Sequence, residues 1–298
     1  MTKNFFAPLF LGVFCIFSCI SQENPPNIKT PDQSKFTTET LIDGIDIPWG
    51  MDFISENEIL VTEKKGILYR VSNRKKVKVS GLPKVYQRGQ GGLLDVALHP
   101  DFKNNQIIYL TAAIHLEGED GGNTGLYCAE LKENNLSNLK LLYKGTPNTK
   151  KSQHWGSRII FDKNGHLFFG IGDRGNRDVN PQDLNRDGGK IYRLNLDGSI
   201  PDDNPFKDEK GAISAIYSYG HRNPQGMTVH PETGEIWENE HGPKGGDEIN
   251  IIEKGKNYGW PVITYGINYS GTSITDKRSM PGMEQPFYYW VPSIAPSG

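Results

Sequence analysis

The chain of 298 residues contains little cysteine and no excess of charge of either sign. Lys and Arg total 33 against 35 Asp and Glu, giving a formal net charge of −2, so the composition excludes a strongly basic nucleic-acid-binding protein. The only cysteines are Cys15, Cys19 and Cys128. Because the first two fall in an N-terminal apolar segment, processing of that segment would leave Cys128 as the only internal cysteine and exclude an intramolecular disulfide.

The longest apolar run lies at the N-terminus, over residues 5–20. At about sixteen residues it is shorter than the roughly 20 that a membrane-spanning helix needs, so we interpret residues 1–19 as a lipoprotein-type signal peptide. Ser18 before Cys19 resembles a bacterial lipobox and predicts a lipid anchor on Cys19, with ordinary signal cleavage or an uncleaved anchor as alternatives. Residues 20–36 are polar and Pro-rich, as in a flexible tether. We therefore expect a periplasmic or cell-surface protein that contacts the membrane only through this anchor.

Glycine, proline and aromatic residues are abundant, with 34 Gly, 19 Pro, 13 Tyr and 13 Phe. They favour many turns between many short strands. No amphipathic stretch of about ten or more residues predicts a helix. Four segments share one pattern instead: an alternating strand, a turn, a second apolar strand, and a polar loop leading to a third strand. These segments begin near Trp49, Leu93, Gly156 and Gln225.

The repeated pattern predicts an all-β fold. The turns "DKNG" and "PETG" lie between alternating runs and are typical of hairpins. Repeated antiparallel units of three or four strands indicate a β-propeller, whereas a β-sandwich also has many short strands but no repeated unit of this kind. We therefore predict one β-propeller domain over residues 37–298.

Polar residues recur at the point where three of the units begin. The second unit has "YQRGQGGLLD" there, the third "QHWGSR" and the fourth "SYGHRNPQG". The third and fourth units also have polar segments after their second strands, "IGDRGN" and "NEHGPKGGDEIN". Loops on one face of a propeller converge on its axis, so these segments are predicted to meet at a functional site.

Five motifs in order carry a resemblance to a known family: "QHWGSRIIFDKNG", "IGDRG", "SYGHRNPQGM", "NEHGPKGGDEIN" and "GKNYGWPVITYGINYSG". Over about residues 40–298 the chain resembles the soluble pyrroloquinoline-quinone (PQQ)-dependent aldose sugar dehydrogenases, the glucose/sorbosone dehydrogenase family. The resemblance implies a six-bladed β-propeller with PQQ and calcium on its axial face. It also implies oxidation of aldose sugars at C1 to the lactone, with electrons passed to an external acceptor.

The resemblance implies a role for each matching residue. His154 matches the general base that takes the proton of the C1 hydroxyl, a task that suits an imidazole near neutral pH. Arg222 and Asn223 match residues that face the reactive carbonyl of the quinone, where a guanidinium stabilises developing negative charge. Further matches are cofactor contacts by Gln90 and Tyr269, calcium-binding carbonyls of Gly242 and Pro243, and a second, structural calcium site at Glu248 and the carbonyl of Tyr258. The resemblance assigns no role to Asp173 or Arg174.

The C-terminal end departs from the family. The chain has about four blades plus the start of another, and the cationic segments that contact the carboxylates of PQQ in the family lie further along. We interpret the sequence as a fragment of a longer gene product, with a decayed homologue, or a second polypeptide that completes the ring, as alternatives.

The competing functions are a non-catalytic propeller that binds sugar or protein and a calcium-dependent lactonase. A second copy of the chain is a further candidate partner, since a homodimer is compatible with the sequence.

Overall fold

The computed structural model describes residues 37–298. The signal peptide over residues 1–19 and the tether over residues 20–36 lie outside the described residues and stay predictions. Within the described part, no helix is long and apolar enough to cross a membrane.

Within residues 37–298, sixteen strands form four antiparallel sheets of four strands each. The first sheet contains β1 (Pro48–Ser55), β2 (Glu58–Glu63), β3 (Ile67–Ser72) and β4 (Lys75–Val79). The second contains β5 (Leu93–Leu98), β6 (Ile107–Ile114), β7 (Asn123–Lys132) and β8 (Asn135–Lys144), with a one-turn helix α1 (Phe102–Asn105) between its first two strands.

The other two sheets repeat this order. The third contains β9 (Ile159–Phe161), β10 (His166–Ile171), β11 (Lys190–Asn195) and β12 (Ile216–Tyr219). The fourth contains β13 (Pro224–Val229), β14 (Ile236–Glu240), β15 (Asp247–Ile252) and β16 (Tyr288–Trp290). In each sheet the strands are paired in chain order, so every sheet is a meander.

The first strands of the sheets are the inner strands of the propeller. β1 packs against β5, and β9 lies between β5 and β13. Neighbouring sheets enclose apolar cores between them. In β10, for example, Phe168 packs in the core shared with the fourth sheet and Phe169 in the core shared with the second. The predicted all-β propeller is confirmed, with four blades in the described residues rather than the six of the family.

The two predicted hairpins are formed. "DKNG" connects β9 to β10, where Asp162 Oδ1 accepts hydrogen bonds from the backbone N–H groups of Asn164 and His166, and Gly165 has a positive φ of 82°. "PETG" connects β13 to β14. The predicted start of a further blade is not formed as a strand in the described residues after β16. There, the backbone N–H groups of Ile294 and Ala295 donate to Asp247 Oδ2, each at 2.7 Å.

A buried carboxylate fixes the entrance of the third sheet. Asp95 on β5 accepts hydrogen bonds from Arg158 Nη1 and from the backbone N–H of Ile159, both at 2.8 Å. Burial is the main cause that raises the pKa of Asp95 to about 6, against the opposing effect of the Arg158 charge. This link holds the start of β9 next to β5, directly after the loop that carries His154.

Candidate active site

His154 lies in the loop that leads into β9. Its backbone has φ of 58°, in the left-handed region that non-glycine residues rarely adopt. The backbone N–H of His154 donates to Gln90 Oε1 at 2.8 Å, which ties this turn to the entrance of the second sheet. A Cβ on Gly172 would lie 2.6 Å from the carbonyl oxygen of His154, so only glycine allows this approach.

The imidazole of His154 is held by Asp173. Its Nδ1 lies 2.6 Å from Asp173 Oδ1, and the other oxygen, Oδ2, accepts a hydrogen bond from Trp260 Nε1 at 2.9 Å. Burial acts to raise the pKa of Asp173, but the hydrogen bonds from His154 and Trp260 and the charge of Arg222 outweigh it, and the pKa lies below its usual value. An ionised carboxylate on Nδ1 fixes the proton there and leaves Nε2 as an acceptor.

Arg222 and Asn223 follow each other at the entrance of the fourth sheet. The side chain of Arg222 is buried, donates from Nη1 to the carbonyl oxygen of His241 at 2.6 Å, and lies 5.5 Å from the ring centroid of Trp260. The backbone N–H groups of Arg222 and Asn223 both donate to Glu240 Oε2, at 2.5 and 3.0 Å. One carboxylate on β14 therefore sets the position of both residues.

An open cavity of about 220 Å³ brings several of the predicted residues together. Its lining includes His154, Arg222, Pro243 and Tyr269, together with Gln153, Asp173, Arg177 and Trp260. The predictions for these residues came from different segments of the sequence, and the fold places them around one space. Tyr269 is 73% exposed and lies at the rim.

A neighbouring cavity of about 250 Å³ contains the other predicted cofactor contacts. It is lined by Gln90 and Asn223, with Trp49, Lys64, Trp155 and His241 among the remaining residues. Burial lowers the pKa of His241, and its Nε2 is buried without a hydrogen-bond partner in the described part of the chain.

Arg174 supports the turn that carries His154. Its side chain is fully buried, with the guanidinium carbon 3.2 Å from the ring centroid of Trp155. It donates to the carbonyl oxygens of Lys151 and Gln153, on the two sides of Ser152. Burial lowers the pKa of Arg174 to about 9. These contacts give Arg174 a structural role next to the site.

Gly242 and Pro243 form a tight loop between β14 and β15. The backbone N–H of Gly242 donates to Asp247 Oδ1 at 2.7 Å. A Cβ at position 242 would lie 2.2 Å from the carbonyl oxygen of Gly246 and 2.4 Å from that of Gly245. The loop is therefore lined by peptide oxygens, the ligand type that a hard cation prefers.

Glu248 and Tyr258 line neither cavity. The ring of Tyr258 stacks on His221 at a centroid distance of 4.6 Å, and its hydroxyl donates to the carbonyl oxygen of Ile251. Glu248, on β15, lies beside Glu240 of β14 on the side of the fourth sheet that faces the third. The structure thus separates these two residues from the His154 cavity.

Asp173, Trp260 and His221 are functional candidates that sequence reasoning did not assign. Asp173 forms an Asx turn, since the N–H of Gly175 donates to Oδ1 at 2.7 Å, and the same oxygen also contacts His154. The position of Asp173 in a polar segment after a predicted strand was the available signal. Nothing in the sequence indicated that Trp260 reaches it.

Comparisons with known proteins agree with this geometry. Residues 45–298 match the family described as Glucose / Sorbosone dehydrogenase. The aldose sugar dehydrogenase YliI of Escherichia coli (strain K12) is 42% identical over 266 residues, which cover 87% of this chain and 71% of that protein. The crystal structure of the soluble aldose sugar dehydrogenase from Escherichia coli in the apo-form has a TM-score of 0.81 at 41% identity, covering 84% of this chain and 74% of that chain. The PQQ-bound form of aldose sugar dehydrogenase from Streptomyces coelicolor has a TM-score of 0.70 at 28% identity, covering 85% and 70%. The chain is therefore an oxidoreductase that belongs to the glucose/sorbosone dehydrogenase family.

Proposed function

We propose that this chain oxidises aldose sugars at C1 to the lactone, with PQQ as the hydride acceptor and an external electron acceptor that reoxidises the cofactor. The observation that carries the proposal is the His154–Asp173 pair, which lines the same cavity as the buried guanidinium of Arg222. A base, a fixed cation and space for a small polar substrate are what this oxidation needs.

His154 would remove the proton of the C1 hydroxyl. Its Nδ1–H donates to Asp173, so Nε2 carries the free lone pair that accepts the proton. The C1–H bond breaks and the hydrogen leaves with its electron pair, while the C1–O bond gains double-bond character and the sugar becomes a lactone. The negative charge of Asp173 stabilises the imidazolium that results, as in other carboxylate–histidine pairs.

The residues present fit a planar anionic quinone. Arg177 and Arg222 line the His154 cavity and Lys64 lines the neighbouring one, so cationic side chains border the space formed by the two cavities, where a tricarboxylate would bind. The unpartnered Nε2 of His241 also lies at this space and would pair with a polar group of a ligand. When bound, PQQ would supply the carbonyl that accepts the hydride. Arg222 would then stabilise negative charge on the cofactor oxygen, while Gln90, Asn223 and Tyr269 would bind its edges.

Calcium completes the proposal. The carbonyl groups of Gly242 and Pro243 would hold one ion beside the cofactor, in a loop already lined by peptide oxygens. Glu248 and the carbonyl of Tyr258 would contribute to a second, structural ion. The carboxylate of Glu248 is part of a buried oxygen-rich cluster, which fits a hard cation.

The proposed location is the periplasm or the cell surface, with a lipid anchor at Cys19. It is supported by the apolar segment and lipobox-like sequence before Cys19. Electrons would pass to an external acceptor there, and a homodimer is proposed as the assembly.

The test is reconstitution of the purified chain with PQQ and Ca²⁺, followed by dye reduction with a panel of aldoses. We expect activity, and a loss of about 10²-fold or more in kcat for His154→Ala. His166→Ala is the matched control. His166 Nδ1 lies 2.9 Å from Asp162 Oδ2, so this histidine also contacts a carboxylate, but it lines neither cavity. No aldose-dependent reduction by the loaded protein, or an unchanged rate in His154→Ala, would overturn the proposal.

A further inference from the structure

A cluster of acidic side chains is enclosed between the third and fourth sheets. Glu238 and Glu240 lie on β14, and Glu248 and Asn250 on β15. In the strand pairing Glu240 is opposite Glu248, and Glu238 is opposite Asn250, so all four side chains share one face of the sheet. Like charges directly opposite each other destabilise a sheet, so bound cations or protons must offset the charge of these carboxylates.

The polar atoms of the cluster converge on one point. Asn250 Nδ2 lies 3.1 Å from Glu238 Oε2 and 3.5 Å from both Glu240 Oε1 and Glu248 Oε2. His221 Nδ1 lies 3.4 Å from Glu240 Oε1. Glu238, Glu240, Asn250 and His221 are buried, with 0–3% of their surface exposed. Three carboxylate oxygens therefore surround the position of a single amide nitrogen.

Two oxygen atoms of the cluster have no hydrogen-bond donor. Glu238 Oε1 and Asn250 Oδ1 are both buried and unpartnered among the described residues. No Lys or Arg in the described part of the chain makes an ion pair with the three carboxylates. A buried carboxylate oxygen without a donor or cation is costly, so the unpaired atoms point to a missing positive ligand.

We propose that Glu238, Glu240, Glu248 and Asn250 form a binding site for one divalent cation of the calcium type. Rotation of the Asn250 amide when a cation binds would turn Oδ1, which has no donor, towards the three carboxylates. Four side-chain oxygens around one point are the donor set of a hard cation, with ligand distances of roughly 2.3–2.6 Å after a small contraction. The proposal extends the second calcium site, for which the resemblance implies only Glu248 and the carbonyl of Tyr258. It does not depend on PQQ.

His221 completes the site from the third sheet. Its Nε2 lies 2.9 Å from Ser218 Oγ, and its Nδ1 faces Glu240. With the Ser218 hydroxyl donating to Nε2, Nδ1–H donates to Glu240 and orients that carboxylate. Histidine and hydroxyl groups in such outer positions typically fix the ligands of a metal ion.

The same carboxylate connects the cation site to the candidate active site. Glu240 Oε1 faces the cluster, and Oε2 accepts the backbone N–H groups of Arg222 and Asn223. A cation that fixes Glu240 therefore also fixes the segment that brings Arg222 to the His154 cavity. The ion would act as a positioning device for the proposed catalytic guanidinium.

The first experiment measures calcium binding to the PQQ-free full chain by equilibrium dialysis and metal analysis. We expect Glu238→Gln, which keeps the shape but removes a charge, to bind one Ca²⁺ fewer per chain or to bind it at least about tenfold more weakly. Glu235→Gln is the matched control, because Glu235 lies on the exposed turn before β14 and its carboxylate accepts a hydrogen bond from the Thr233 hydroxyl. Equal stoichiometry and affinity in the wild type and Glu238→Gln would overturn the proposal.

A second experiment needs no variant. Crystals of the wild-type chain grown with Ca²⁺ are expected to show anomalous scattering between Glu238, Glu240 and Asn250, and a map without a peak there contradicts the site. In solution, removal of Ca²⁺ should increase amide hydrogen exchange at Arg222 and Asn223, and unchanged exchange would contradict the coupling. Neither readout uses the enzymatic reaction, so failure of the proposed sugar oxidation would be seen separately.

Discussion

Asp173 Oδ1 lies 2.6 Å from His154 Nδ1, and the Asp173 carboxylate is only 1% exposed. The two residues come from the loop before β9 and the segment after β10, so the hairpin itself brings them together. Trp260 Nε1 donates a hydrogen bond to the other carboxylate oxygen, Asp173 Oδ2. Because both oxygens of Asp173 are occupied, its orientation is fixed before any substrate arrives, and so is the tautomer of His154.

We expect Asp173→Asn to lower kcat by about 10²- to 10⁴-fold with a much smaller change in KM. An amide that donates to Nδ1 would move the imidazole proton to Nε2, where it would face the substrate and block proton uptake. Steady-state dye reduction with the PQQ- and Ca²⁺-loaded protein measures the effect.

The control for this variant is Asp162→Asn, which changes the carboxylate beside His166 in the β9–β10 turn. It should retain nearly the wild-type kcat. If Asp173→Asn retains it as well, Asp173 does not set the protonation state of the base.

The loop at Gly242 gives a second prediction. In Gly242→Ala the new methyl group would lie 2.2 Å from the carbonyl oxygen of Gly246, which is backbone and cannot move aside alone. We therefore expect the loop to shift and Ca²⁺-dependent binding of PQQ to weaken by at least about tenfold, since hard-cation sites depend on ligand placement.

Titration of PQQ into the apoprotein at fixed Ca²⁺, followed by absorbance, would measure this change. Lys244→Ala in the same loop is the control, because Lys244 is exposed. Equal PQQ affinity in Gly242→Ala and the wild type would show that this loop does not hold the ion.

Much of the fold could be predicted from sequence because the inner strands carry strong patterns. The predicted units begin close to β1, β5, β9 and β13, and their first three strands were anticipated. The fourth strands were less visible. β4 is the charged segment "KKVKV" and is largely exposed, and β16 follows β15 only after a long loop. An outer strand buries little surface, so its sequence is weakly constrained.

Residues of the candidate site could be predicted only where they lie in motifs that resemble those of the family. His154, Arg222, Pro243 and Tyr269 were predicted from the family resemblance, and they line one cavity. The contact between Trp260 and Asp173 joins residues 87 positions apart, so no local pattern could reveal it. The buried acidic cluster was also hidden, because Glu238 and Glu240 alternate along a strand as exposed residues do. Only the packing of the third sheet against that face shows that they are buried.

Lys190 is a fully buried lysine at the start of β11. Its Nζ donates to the carbonyl oxygens of Gly188 and Asn180, and the side-chain amide of Asn180 in turn donates to the carbonyl oxygen of Asp173. Lys190 thus holds the loop that begins at Asp173, the residue that contacts His154. Burial lowers the pKa of Lys190 to about 7 from an ordinary value of 10.5, although the charge of Asp187 opposes this.

Between these two pKa values the unfolded chain binds more protons at this lysine than the folded chain does. The contribution of Lys190 to the free energy of unfolding therefore rises as the pH increases from about 7 towards 10.5. Below about 7 both states are protonated, so this contribution no longer changes with pH. Lys190→Met should reduce this rise, and it should also lower stability at every pH because the carbonyl groups of Asn180, Pro181 and Gly188 lose their donor. Urea unfolding at several pH values between about 7 and 9 gives the slope, with the exposed Lys163→Met as control. Loss of hydrogen bonds alone would lower the free energy of unfolding by the same amount at every pH. A Lys190→Met variant with the same pH slope as the wild type would therefore contradict the titration of Lys190.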